Sequence, residues 1–166
     1  MSSTLRILTL LAALAGLFAF APSTASAKDS EFTIARVFTG WREAASFKRI
    51  SEYFSGEENT GGAIVLRTHP DQRAGYYFIV HTDNPGAPIT VKINVEVITP
   101  TDTKPKLYAF TSALKTGETV LNLGLTAADW PDARANPVAW NITLVGADGV
   151  ALTGEKSYLW EKPLTK

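Results

Sequence analysis

Five aliphatic residues at alternate positions, Ile89, Val91, Ile93, Val95 and Val97, constrain this chain more than anything else in it. Between them stand Thr90, Lys92, Asn94 and Glu96. Successive side chains of a strand point to opposite faces, so a period of two predicts a strand over residues 89–98 with one dry and one wet face. A helix would scatter the same residues around its circumference. Burying the five side chains stabilises a fold by roughly 1.5–3 kcal/mol each, as an upper bound before conformational entropy. Such a face needs a second layer, and the rest of the chain must supply it as further strands.

The first 27 residues read differently. Arg6 is followed by an apolar run from Ile7 to Ala21, interrupted by Thr9 and Gly16, then by Pro22 and the small-x-small site Ala25-Ser26-Ala27. This is the layout of a secretory signal peptide, with cleavage expected after Ala27. The alternative, a membrane anchor, needs about 20 apolar residues, more than the run supplies. Residues 28–166 are then expected to form a single soluble domain, in the periplasm or outside the cell, monomeric or weakly associating. The chain has no Cys, so neither a disulfide nor a lipidated Cys is possible, and the apolar core alone must hold the fold. Of 16 bases only Arg6 lies in the leader, so the remainder carries 15 − 16 = −1. That balance argues against nucleic acid, and against an anionic membrane surface, as a main partner.

Further strands follow from the same reasoning. Phe32, Ile34 and Phe38 are in phase, with Gly40 ending the strand. Over residues 42–54 the period changes: Phe47, Ile50 and Phe54 are spaced three and four apart, which predicts a short amphipathic helix. Residues 63–68 form a strand, and residues 76–82 another with apolar residues on both faces, so both must be covered. Residues 107–112 follow Pro105 and predict a protected edge strand. Leu121, Leu123 and Leu125 mark a strand over 118–125, and one helical turn capped by Thr126 is expected after it. Val138, Trp140, Ile142 and Leu144 open a closing hairpin that turns at Asp148-Gly149. A three-residue loop, with Gly149 left-handed, sets Leu144 opposite Leu152; a two-residue loop sets Leu144 opposite Thr153 and spoils the apolar face. The first is the expected register, with a bulge near Gly154.

Motifs for catalysis are missing from the sequence. His69 and His81 are the two histidines, without metal-ligand spacing. No Gly-x-Ser-x-Gly elbow is present, and Gly61-Gly62 lacks the Lys-Ser/Thr of a phosphate loop. We therefore expect no enzyme activity, no cofactor and no metal. A hydrolase would need a histidine beside a Ser, Asp or Glu in a cleft. The aromatic set offers a binding surface instead. Trp41, Tyr53, Tyr77, Trp130 and Trp160 are the candidate ligand or partner residues, since exposed rings serve protein and glycan sites. Trp41, Trp130 and Trp160 on one exposed plane would make a carbohydrate-binding module; the competing reading packs these rings into the ends of a sandwich. A groove between the 47–54 helix and the 76–82 strand is a second candidate site for a protein partner.

About eight strands with a closing hairpin over residues 138–160 resemble the immunoglobulin-like and fibronectin-type-III-like sandwiches of exported bacterial proteins. The resemblance implies a mainly β, antiparallel, non-catalytic interaction or structural module, here with one helix inserted after the first strand. A Cys-Trp-Cys core is absent, unlike antibody-type domains. A lipocalin-like barrel is the alternative fold, suggested by Gly40-Trp41, though the C-terminal helix of that family is missing.

Overall fold

The computed structural model describes residues 32–160. The expected leader and its cleavage site lie outside the described residues. The alternating segment is strand β4 (Ile89–Thr99), in which Val91, Ile93, Val95 and Val97 are fully buried while Thr90 and Lys92 face solvent. Its layer is completed by β5 (Asp102–Leu114), β7 (Ala139–Val145) and β8 (Ala151–Lys156), in the order β5-β4-β7-β8. The facing layer holds β1 (Thr33–Arg42), β2 (Ile64–Arg67), β3 (Gly75–Asn84) and β6 (Gly117–Thr126), in the order β1-β3-β6-β2. Tyr76, Phe78 and Val80 of β3 and Leu121, Leu123 and Leu125 of β6 meet the β4 side chains in one core. The molecule is thus a sandwich of two four-stranded sheets with free edges, not a closed barrel.

Taking β1, β3, β4, β6, β7 and β8 as strands A, B, C, E, F and G gives the sheets A-B-E and C-F-G of an immunoglobulin sandwich, with β5 added beside C. β2 occupies the place of strand D. It runs parallel to β6, however, pairing Ile64 with Leu121 and Arg67 with Gly124. This corrects the expectation of a wholly antiparallel fold. β1 and β2 are opposite edges of their sheet, so the connection between them must cross the outer face of β3 and β6.

Three local expectations are revised. β1 passes through Gly40 to Arg42, and a bulge between Ile34 and Arg36 reverses its phase. Val37, Thr39 and Trp41 therefore pair with the inward residues Val80, Phe78 and Tyr76, and Phe38 turns outward at 48% exposure. The closing hairpin starts in the expected register: Gly146 donates its N–H to Val150, Val145 pairs with Ala151, and Gly149 is left-handed at φ 82°. A bulge at Leu152, not Gly154, then sets Leu144 opposite Thr153 and Ile142 opposite Glu155. Leu152, the extra residue of the bulge, still packs against the core.

The third revision concerns residues 42–54, which do not form the predicted helix. A 3₁₀ turn (Ala44–Phe47) and a single α-helical turn, α1 (Glu52–Ser55), stand in its place. Phe47 packs on the Tyr77 ring with centroids 4.7 Å apart, but Ile50 and Phe54 point to water. The inward positions are taken by ion pairs. Arg73 donates to Glu52 at 2.7 Å, and Arg67 grips both carboxylate oxygens of Glu58, with its Nη1 at 2.9 Å from Oε2. Arg67 also donates from Nε to Tyr77 Oη at 2.8 Å and lies 5.1 Å from the Phe47 ring centre. A bidentate guanidinium–carboxylate pair is strong and directional, and here it outranks the apolar periodicity. The crossing segment is thereby clamped on the sheet, with Phe47 seated on Tyr77 of β3.

Candidate functional site

Turn length decides which end of this sandwich can carry a site. At one end the connections are residues 85–88, 115–116 and 146–150, all tight turns. The long connections, residues 43–63, 68–74 and 127–138, reach the other end, where residues 100–101 also turn. Functional side chains concentrate on such connections when a rigid scaffold holds them.

A cleft of about 500 Å³ opens at this loop-rich end. It arises from unequal strands. β5 runs for 13 residues, but β2, on the corresponding side of the facing sheet, has four. The inward phase of β5 continues from Phe110 and Tyr108 to Lys106 and Lys104, where no strand lies opposite. The loop after β6 closes over this space instead. Val97, Tyr108, Trp130 and Pro131 give the cleft an apolar lining; Lys104, Lys106, Asp129 and Asp132 give it a polar rim.

Its electrostatics centre on Asp129. Lys106 Nζ donates to Asp129 Oδ1 at 2.9 Å and stands 5.0 Å from the Tyr108 ring centre. Burial pushes the Asp129 carboxyl up, but Lys106 and the Thr68 hydroxyl outweigh it and hold the group below the usual range. Tyr108 and Asp129 hold the Lys106 ammonium above its usual value, and burial raises the Tyr108 phenol. Thr126, expected to cap the following turn, does another job. Its Oγ1 accepts from the His69 N–H at 3.0 Å, and its own N–H donates to Thr68 Oγ1 at 3.0 Å, stitching the 68–69 turn to the end of β6. The turn at residues 127–129 is present without a side-chain cap.

His69 lies in the 68–74 connection with its side chain 45% exposed. Its Nδ1 lies 3.5 Å from Asp129 Oδ2 and 3.3 Å from Thr68 Oγ1. An acid–base relay needs the orienting carboxylate on one ring nitrogen and the nucleophile on the other. Here both oxygens meet the same nitrogen, so the hydroxyl is placed beside the carboxylate and not at the working end of the ring. His81 sits half-buried on the outer face of the first sheet, edge-on to Phe38 with centroids 5.9 Å apart. Among the described residues no group of three or more His, Cys, Asp or Glu could hold a metal ion.

No family model matches the chain. No curated protein matches it at a significant level. Among solved structures, an immunoglobulin-like protein from Pseudomonas aeruginosa aligns with 78% of this chain and 96% of its own length, at 14% identity and a TM-score of 0.32. The sandwich architecture accordingly rests on the strand order described above, not on this match.

The five aromatic candidates are not brought together. Trp130 is 3% exposed and stacks on Tyr76 with centroids 4.7 Å apart, its Nε1 donating to the Ala135 carbonyl at 3.3 Å. Trp41 packs against the edge of the core and donates to Glu43. Tyr77 is fully buried under the crossing segment, its Oη donating to the Arg73 carbonyl at 2.7 Å. Trp160 is half-buried beside Ser157 and Tyr158, and Tyr53 alone is freely exposed. Trp130 cannot share an open stacking plane with Trp41 and Trp160, which removes the sugar platform expected from the three rings. What the sequence reading missed is the Lys106–Asp129–His69 cluster. The available signal was Lys104 and Lys106 continuing the alternate phase of Tyr108 and Phe110.

Proposed function

We propose that the protein is an exported, non-catalytic β-sandwich module that binds a partner through the cleft at its loop-rich end. The observation supporting this reading is the cleft itself: an apolar floor with a few convergent polar groups, built where β5 outruns the facing sheet. The Lys106–Asp129 pair fixes the rim, and the ligand is a segment of a partner protein that seats an apolar side chain over Trp130 and Tyr108. The His69 geometry favours binding over turnover, since its two contacts share one nitrogen.

The test uses a photo-crosslinking residue at position 131, with capture from the exported fraction of the native host. Ala128→Trp fills the cleft mouth from an exposed position. The reading expects one crosslinked partner that disappears in Ala128→Trp while the melting temperature holds. Equal crosslinking in the filled variant would move the site elsewhere.

A further inference from the structure

The turn α1 wears its polarity inside out. Glu52 faces inward onto Arg73, whereas Ile50, Tyr53 and Phe54 are 79, 77 and 88% exposed. Single exposed apolar side chains are ordinary, but three large ones around one turn mark an interaction surface. Nor is the turn loose. Phe47 is seated on Tyr77, Glu58 is held by Arg67, and Asn59 Nδ2 donates to Ser51 Oγ at 2.8 Å. The fold spends two clamped ion pairs on holding an apolar tip in water.

The charge around the tip indicates what covers it. Lys48 and Arg49 precede it, both exposed and without an ion-pair partner among the described residues. Glu52 and Glu58 are neutralised by Arg73 and Arg67, which leaves Glu57 as the one unpaired acid between residues 48 and 58. Within residues 48–58 the groups left unpaired are then Lys48 and Arg49 against Glu57, a balance of 2 − 1 = +1. Exposure this high means the side chains stand clear of the surface and do not lie flat on it. Aromatic and aliphatic side chains flanked by Lys and Arg are what the boundary between headgroups and acyl chains accepts.

We propose that the 48–54 tip seats in the headgroup zone of a bilayer containing anionic lipid, with Ile50, Tyr53 and Phe54 inserted and Lys48 and Arg49 against lipid phosphates. The near-neutral balance of the whole chain does not oppose this, because surface attraction acts within a Debye length, about 10 Å. The contact is independent of the cleft and adds a location to the module.

The chain has no Cys, so Ser55→Cys gives one site for an environment-sensitive dye beside the tip with the apolar trio intact. Vesicles of phosphatidylcholine, with and without phosphatidylglycerol, are the probe. The proposal expects a blue-shifted, brightened emission with phosphatidylglycerol only. The triple change Ile50→Ser, Tyr53→Ser, Phe54→Ser is expected to weaken binding at least about tenfold at unchanged melting temperature, and Lys48→Glu with Arg49→Glu about fivefold. Three results overturn it: no response to phosphatidylglycerol vesicles, an equal response to phosphatidylcholine alone, or undiminished binding by the triple-serine variant. A tip that serves a protein groove gives the first of these.

Discussion

Removing the Glu58 carboxylate strands Arg67. The Arg67 side chain is 6% exposed, lies over the Phe47 ring and makes two bonds to Glu58 and one to Tyr77 Oη. A charge-assisted hydrogen bond contributes about 1.5–3 kcal/mol, and Glu58→Ala deletes two. Breaking one partner of a buried pair costs about 3–5 kcal/mol. Glu58 retains 24% exposure, so water can enter beside the orphaned guanidinium, and the lower end applies. We expect a loss of about 3 kcal/mol, equivalent to a fall of roughly 10 °C in melting temperature for a domain of this size. Urea unfolding followed by Trp fluorescence measures it. Adding Arg67→Met removes the stranded charge and fills the same space, so the double variant is expected to recover most of the loss. A penalty below about 1 kcal/mol for Glu58→Ala, the range of an exposed ion pair, would refute the clamp.

The same pair sets a response to acid. Arg67 holds the Glu58 carboxyl below its ordinary 4.5, so its stabilisation is complete above that value and is lost as pH falls through the lower folded value. Acid unfolding should therefore be steeper in the native chain than in Glu58→Gln; parallel curves would remove Glu58 from the linkage. Gly124 leaves room for the Tyr77 ring, since a Cβ there would lie 2.5 Å from Tyr77 Cε1. Tyr77 is fully buried and cannot withdraw, so Gly124→Ala should cost about 1–3 kcal/mol by denaturant titration, and a neutral result would mean the ring is free to move. β5 has a neighbour on one side and β4 on both, so hydrogen exchange should show early amide loss across residues 107–112. Protection there equal to that of β4 would mean the edge is covered.

The layers were legible because their side chains alternate without interruption: β4, the leucines of β6, and Ile142 with Leu144 in β7. The departures occur where one extra residue or one charge intervenes. A bulge at Ala35 reversed the phase of Phe38, and a bulge at Leu152 shifted the closing register midway; neither changes the composition of its strand. Phe47, Ile50 and Phe54 do have helical spacing, but spacing cannot report that Glu52 and Glu58 find Arg73 and Arg67. Tyr77 could have been placed in the interior, because a strand apolar on both faces implies cover on both. Lys106 and Asp129 lie 23 residues apart and meet only once β5 and the loop after β6 are in place.

The parallel seat of β2 has a consequence for the order of assembly. β2 precedes β3 in the chain but bonds only to β6. A chain delivered amino-end first cannot settle β2 until residues 117–126 have followed and aligned beside β3. Until then Arg67 has no seat on the sheet, and the segment bearing Ile50, Tyr53 and Phe54 has only Phe47 on Tyr77 and the Glu52–Arg73 pair to hold it. Maturation of that tip thus reports that the last strand of its sheet has arrived.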